Sequence, residues 1–190
     1  MARGVRGLVV LAVVLLSGVT SAHAHLVVAQ KGTLNLSGDG AYLAVSLPVA
    51  GLAGVDDDGD GLLSAAELGR HAAAIATQVG AGLRLRTSKG ACPLEGIMLS
   101  LSPDDGREGM PAKQIIVMGR YAVPQAERAR LVLRSEIWGD APAERALAIT
   151  ITTDLKGEQV LLLTTAQRAR RLQQAAKARQ RRHKHRHASH

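Results

Sequence analysis

Arg130-Leu131-Val132-Leu133-Arg134-Ser135-Glu136-Ile137 changes character at every step. Leu131, Leu133, Ser135 and Ile137 form one set, and Arg130, Val132, Arg134 and Glu136 the other. Successive side chains of an extended chain point to opposite faces, so a period of two predicts a strand with one face in a core and the other in water. Leu147, Ile149 and Ile151 alternate with Ala148, Thr150 and Thr152 in the same way, and Asp154–Gly157 then reads as a turn into a further strand, Val160 to Leu163. Working towards the N-terminus, Ile115 to Val123 and Ile97 to Leu101 are rich in β-branched or long aliphatic residues. Leu26 to Leu36 and Tyr42 to Val49 flank Gly38-Asp39-Gly40, which has the composition of a hairpin turn. Seven or eight short strands separated by turn residues predict an α+β, mainly β chain built as an antiparallel β-sandwich-like body.

One helix interrupts the strands. Leu68, Ala72, Ile75 and Val79 recur at four, three and four residues, a single apolar stripe at helical spacing, and Gly80 and Gly82 can end it. The core must be aliphatic, because the chain has no Phe and Trp138 is its only Trp.

Just before that helix lies Asp56-Asp57-Asp58-Gly59-Asp60-Gly61-Leu62-Leu63-Ser64-Ala65-Ala66-Glu67. Asp56, Asp58 and Asp60 fall at alternate places, so a tightly curled loop points all three carboxylates inward. Gly61 permits the sharp turn that brings the chain back, and Leu62 then presents its backbone carbonyl. Leu63 is the apolar anchor, Ser64 sits where a ligand often acts through water, and Glu67 closes the set from the first turn of the helix. This is the EF-hand loop pattern, and an all-oxygen set of this kind suits calcium, a hard ion that takes six to eight oxygens. Asp-Gly repeats alone make solvated turns, and Ser64 with Glu67 alone makes a helix capping box. Neither accounts for three alternating aspartates ahead of the glycine. The incoming side is not helical in character, with Pro48, Gly51 and Gly54 within Ser46–Val55, so the expected order is strand, short turn, loop, helix. A single loop of this kind suits a structural site better than a switch.

The stretches Leu34-Asn35-Leu36-Ser37-Gly38-Asp39-Gly40, Leu47-Pro48-Val49, the loop itself, Pro93-Leu94-Glu95-Gly96 and Met98-Leu99-Ser100-Leu101-Ser102-Pro103 resemble a group of bacterial exported EF-hand-containing proteins of unassigned function. The resemblance runs to about Thr164. In plan the body is also similar to the exported segment of HupE/UreJ-like proteins, which are linked to nickel handling; the membrane part of those proteins has no counterpart here.

The ends read differently from the body. Arg3 and Arg6 precede an apolar run from Leu8 to Val19, and Ala22-His23-Ala24 supplies a small-x-small pattern. This predicts a signal peptide over 1–24, a mature N-terminus at His25, and a periplasmic or secreted protein. The run is shorter than the roughly 20 residues that span a bilayer, and no later segment reaches that length, so a membrane-spanning chain is not expected. The formal charge is +8. Nine bases and no acid fall from Arg168 onward, while the segment from His25 to Gln167 holds more acids than bases. A β-rich domain over 25–165 is therefore expected to carry a basic tail over 166–190, helical or disordered, with affinity for an anionic surface such as lipid, lipopolysaccharide or another polyanion. The tail has no aromatic residue, which argues against sequence-specific nucleic-acid recognition.

An alternative reading is a periplasmic transition-metal handling protein. A terminal amine beside the His25 imidazole makes a copper-binding pair, and His183, His185, His187 and His190 could hold copper or nickel. His71 reads as a surface residue. No catalytic constellation is visible: there is no Gly-x-Ser-x-Gly or His-Glu-x-x-His pattern. Cys92, the only cysteine, has no identifiable base, and Glu95, Asp104 and Asp105 read as solvated turn acids. The expected role is non-catalytic.

Overall fold

The computed structural model describes residues 29–103, 107, 109–153 and 157–172. The signal segment, His25, Asp104 and Asp105, the turn residues 154–156 and the tail from 173, with its four histidines, lie outside the described residues.

The described chain is mainly β, with one α-helix and two sheets. The strands are β1 (Gln30–Ser37), β2 (Gly40–Pro48), β3 (Leu83–Arg86), β4 (Ala91–Cys92), β5 (Leu94–Ser102), β6 (Gln114–Ala122), β7 (Val132–Ser135), β8 (Ala146–Thr153), β9 (Gly157–Thr164) and β10 (Ala169–Arg171). The larger sheet runs β5-β6-β2-β1-β8-β9 and the smaller β10-β7-β3-β4. The β1–β2 hairpin closes with Ser37 opposite Gly40, leaving Gly38 and Asp39 as a two-residue turn in which Gly38 takes φ +54°. That backbone angle is open to glycine at no steric cost.

Every described strand pairing is antiparallel except one. β1 lies parallel to β8, with Gly32 opposite Ile149 and Leu34 opposite Ile151. The all-antiparallel expectation is corrected at this point: alternation within a strand fixes which face is buried but carries no information on which neighbour it takes.

The two sheets share one hydrophobic cluster. Leu34, Leu43, Val117, Ile149 and Leu161 enter it from the larger sheet, and Leu83, Leu85 and Leu133 from the smaller. Apart from Tyr121 its buried members are aliphatic. The buried Tyr121 hydroxyl donates to Leu83 O at 3.0 Å, a polar link from β6 to β3. Helix α1 (Ala65–Gly82) buries Ile75 and Val79 in the same cluster, with Leu68 partly covered. It runs through Gly80, and β3 begins at the next residue after its end.

The tail boundary also moves. The expected helical or disordered segment from 166 instead begins with β10, which pairs with β7 (Arg171 opposite Val132), and Ser135 N donates to Arg168 O at 2.9 Å. Leu172 is buried against this edge, and its N–H donates to Leu131 O at 2.9 Å. The body therefore extends to Leu172. Three arginines in five residues masked a short strand whose apolar contribution rests on Leu172 and Ala169. Among the described residues no helix is long and apolar enough to cross a membrane.

Candidate metal centre

The chain enters the loop from β2 through a short 3₁₀ turn at Val49–Gly51, with Leu52 and Val55 buried beside it. The strand, turn, loop and helix order is as expected. The incoming segment is clamped to α1 by one side chain: Gln78 Oε1 accepts from Ala53 N at 2.8 Å and Gln78 Nε2 donates to Ala53 O at 2.9 Å. On the outgoing side Leu63 is fully buried and forms an isolated antiparallel bridge with Ala112. Leu63 N donates to Ala112 O at 2.9 Å and Ala112 N to Leu63 O at 3.0 Å. The adjoining Lys113 O accepts from Val49 N at 2.8 Å, so the segment leading into β6 holds both flanks of the loop.

Between these anchors Asp56, Asp58 and Asp60 converge. One carboxylate oxygen from each lies within 4.8 Å of the others. The loop curls around them through its own amides. Gly59 N donates to Asp56 Oδ1 at 2.8 Å, Gly61 N to Asp56 Oδ2 at 2.9 Å and Leu62 N to Asp60 Oδ1 at 2.7 Å. Asp60 N donates to Asp58 Oδ1 at 3.2 Å. Gly61 has φ +79°, the left-handed conformation that this reversal demands.

Glu67 stands outside the triad. Its Oε1 accepts from Asp57 N at 2.8 Å; its Oε2 accepts from Ser64 N at 2.8 Å and from Ser64 Oγ at 2.7 Å. With Ser64 Oγ accepting in turn from Glu67 N, this is a complete capping box at the start of α1. The hydrogen bonds from the Ser64 hydroxyl and amide, then from Asp57 N–H, hold the Glu67 carboxyl down to about 2. Asp58 moves the other way. The Asp60 N–H favours its ionised form, but burial, the charges of Asp60 and Glu67 and the contact with Asp56 outweigh that, and its pKa is raised. The triad is therefore a place where negative charge is crowded, with Glu67 near enough to add to it.

Asp57 was not singled out in the sequence, and it joins the loop to the helix. Its Oδ1 meets His71 Nε2 at 2.8 Å and its Oδ2 accepts from Arg70 Nη2 at 2.6 Å. The His71 hydrogen bond first, and the Arg70 pairing with it, lower the Asp57 pKa. Glu67, Arg70 and His71 stand at i, i+3 and i+4, so one helix face takes both the amide and the carboxylate of Asp57. That spacing was the available signal.

Elsewhere, burial pushes the Cys92 thiol up, away from the thiolate form that makes a nucleophile. An open groove of about 390 Å³ on the outer face of the larger sheet lies among Tyr42, Met98, Met118 and Arg120. There Arg120 sits 5.9 Å over the Tyr42 ring and pairs with Asp39 at 2.8 Å.

No family model matches the chain, and no curated protein matches it.

Proposed function

We propose that the loop Asp56–Glu67 binds one calcium ion, and that the protein is an exported, non-catalytic domain of the EF-hand-containing kind that acts through binding. The observation that carries the reading is the convergence of the Asp56, Asp58 and Asp60 carboxylates within 4.8 Å on a loop anchored at both flanks. Like charges this close repel, and a divalent cation is the simplest partner that removes the repulsion. The donors are all oxygen, which suits a hard cation. Asp56, Asp58 and Asp60 would hold the ion, joined by the Leu62 carbonyl, Ser64 through water, and Glu67. The ion would neutralise part of the carboxylate charge and tie the start of α1 to the incoming segment.

Titration calorimetry tests this. Calcium should bind with one-site stoichiometry, and magnesium more weakly because it demands tight octahedral geometry. Asp60→Ala should abolish the heat. No heat of calcium binding from the full chain would overturn the proposal. The basic segment from 173 onward, expected to favour an anionic surface, lies outside the described residues, and the copper or nickel reading rests wholly on histidines outside them.

A further inference from the structure

The smaller sheet carries its charge on one side. In β3 the exposed residues Arg84 and Arg86 alternate with buried Leu83 and Leu85. In β7 Arg134 is exposed between buried Leu133 and Ser135. Arg84 pairs directly with Arg134, while Arg86 and Arg171 both stand opposite Val132. Arg84, Arg86, Arg134 and Arg171 thus share the outer face of three adjacent strands. At a strand spacing of about 4.8 Å and a rise of about 3.4 Å per residue, their backbone positions fit a patch of roughly 10 by 7 Å.

Acid does not balance this patch. Glu136 accepts from Arg134 Nε at 2.7 Å and from Arg168 Nη1 at 2.6 Å, so one carboxylate is shared by two guanidinium groups. Arg84 Nε donates to Ala81 O at 2.5 Å, a neutral acceptor. Among the described residues neither Arg86 nor Arg171 forms an ion pair. Like charges directly opposite across a strand pair destabilise it, so the Arg84–Arg134 pairing costs stability that an anion in front of the sheet would restore. The acidic loop is set well apart, because α1 climbs about 27 Å between Ala65 and Gly82 before β3 begins.

We infer that the outer face of the β10-β7-β3 sheet docks on an anionic lipid surface, with the arginines of β3, β7 and β10 meeting phosphate headgroups. Three observations choose this occupant. The face presents four arginines on three adjacent strands rather than in a single line, so it can engage a surface at several points at once. Its other outward residues are Val132 and Ala169, with Ala91 of the neighbouring β4 beside Arg86, so it has no aromatic on which bases could stack. The chain also leaves the described body at Leu172, beside β10 of this same face, and the sequence beyond adds six bases and no acid.

The test uses the full chain and vesicles of phosphatidylcholine with phosphatidylglycerol, against phosphatidylcholine alone. The difference in retention between the two should be large at low salt and vanish near 1 M, where the screening length falls to about 3 Å. Replacing Arg84, Arg86 and Arg171 by Gln should weaken binding to the anionic vesicles about a hundredfold, at roughly fivefold per arginine near the surface. A control with the same loss of charge elsewhere, Lys31→Gln with Lys113→Gln and Arg145→Gln, should lose far less. Circular dichroism checks that each variant keeps its fold. Equal losses in the two variants, unaltered binding by the arginine variant, or tighter binding to duplex DNA than to the anionic vesicles at matched salt would each overturn the inference.

Discussion

Replacing Asp58 by Asn should have opposite effects with and without calcium. The Asp58 carboxylate accepts a hydrogen bond from Asp60 N at 3.2 Å, and an Asn oxygen can accept the same bond. The substitution therefore keeps the local geometry and removes one negative charge from a crowded triad. Because Asp58 is harder to ionise in the fold than free, its charge opposes folding near neutral pH. In chelator the variant should melt at or above the temperature of the parent. Calcium should reverse the order. A ligand that binds only the folded state stabilises it by RT ln(1 + [L]/Kd). For Kd between about 10⁻³ and 10⁻⁵ M, calcium at about 1 mM gives roughly 0.4 to 2.7 kcal/mol. For a domain of this size that is a rise of about 1 to 11 °C, which the variant should show in reduced measure, because an Asn oxygen can still ligate calcium but brings no charge. Scanning calorimetry of both proteins in chelator, calcium and magnesium provides the six-way comparison. A parallel response to calcium in parent and variant, or a variant that melts below the parent in chelator, would refute the argument from charge crowding.

Three further outcomes are expected. The Glu67 carboxyl titrates at about 2 in the fold against an ordinary value of 4.5. Its ionised form therefore stabilises fully above about 4.5, and that contribution fades as the pH falls towards about 2; in chelator, the gap in melting temperature between the parent and Glu67→Gln should close over that window. Leu63→Ala removes a fully buried side chain while keeping the Leu63–Ala112 backbone bridge, and should lower the unfolding free energy by about 2 to 5 kcal/mol in urea titrations with an unchanged m value. Leu172→Ala should cost about 2 to 3 kcal/mol by the same measurement, whereas a solvated tail beginning at 166 would show no change.

The local content of the chain was legible because it is written in periods, composition and turn residues. Two-residue alternation marked β7 and β8, aliphatic and β-branched content marked β5 and β6, and turn residues marked β1, β2 and β9, with the Gly38-Asp39 turn setting its hairpin within a residue. The 3.6-residue stripe marked α1. The spacing of Asp56, Asp58 and Asp60 brought those three carboxylates together as expected, because alternate positions on a curled loop face the same way. Short strands escaped: β4 and β10 hold two and three residues, too few to establish a period, and the four residues of β3 follow directly on the end of α1.

What the sequence determined by itself was therefore everything that depends on neighbours a few residues apart: the strands, the helix, the turn and the acid triad. Tertiary structure alone decided the partners. It placed β1 parallel to β8 across more than a hundred residues of chain, set Ala112 against Leu63, and turned Gln78 back to clamp Ala53. It also put Arg84 opposite Arg134 and Arg86 across Val132 from Arg171, making one basic face out of arginines scattered along the chain. Such pairings are selected by the closing of one shared core and by the backbone groups left to be satisfied around it. No spacing along the chain records that selection.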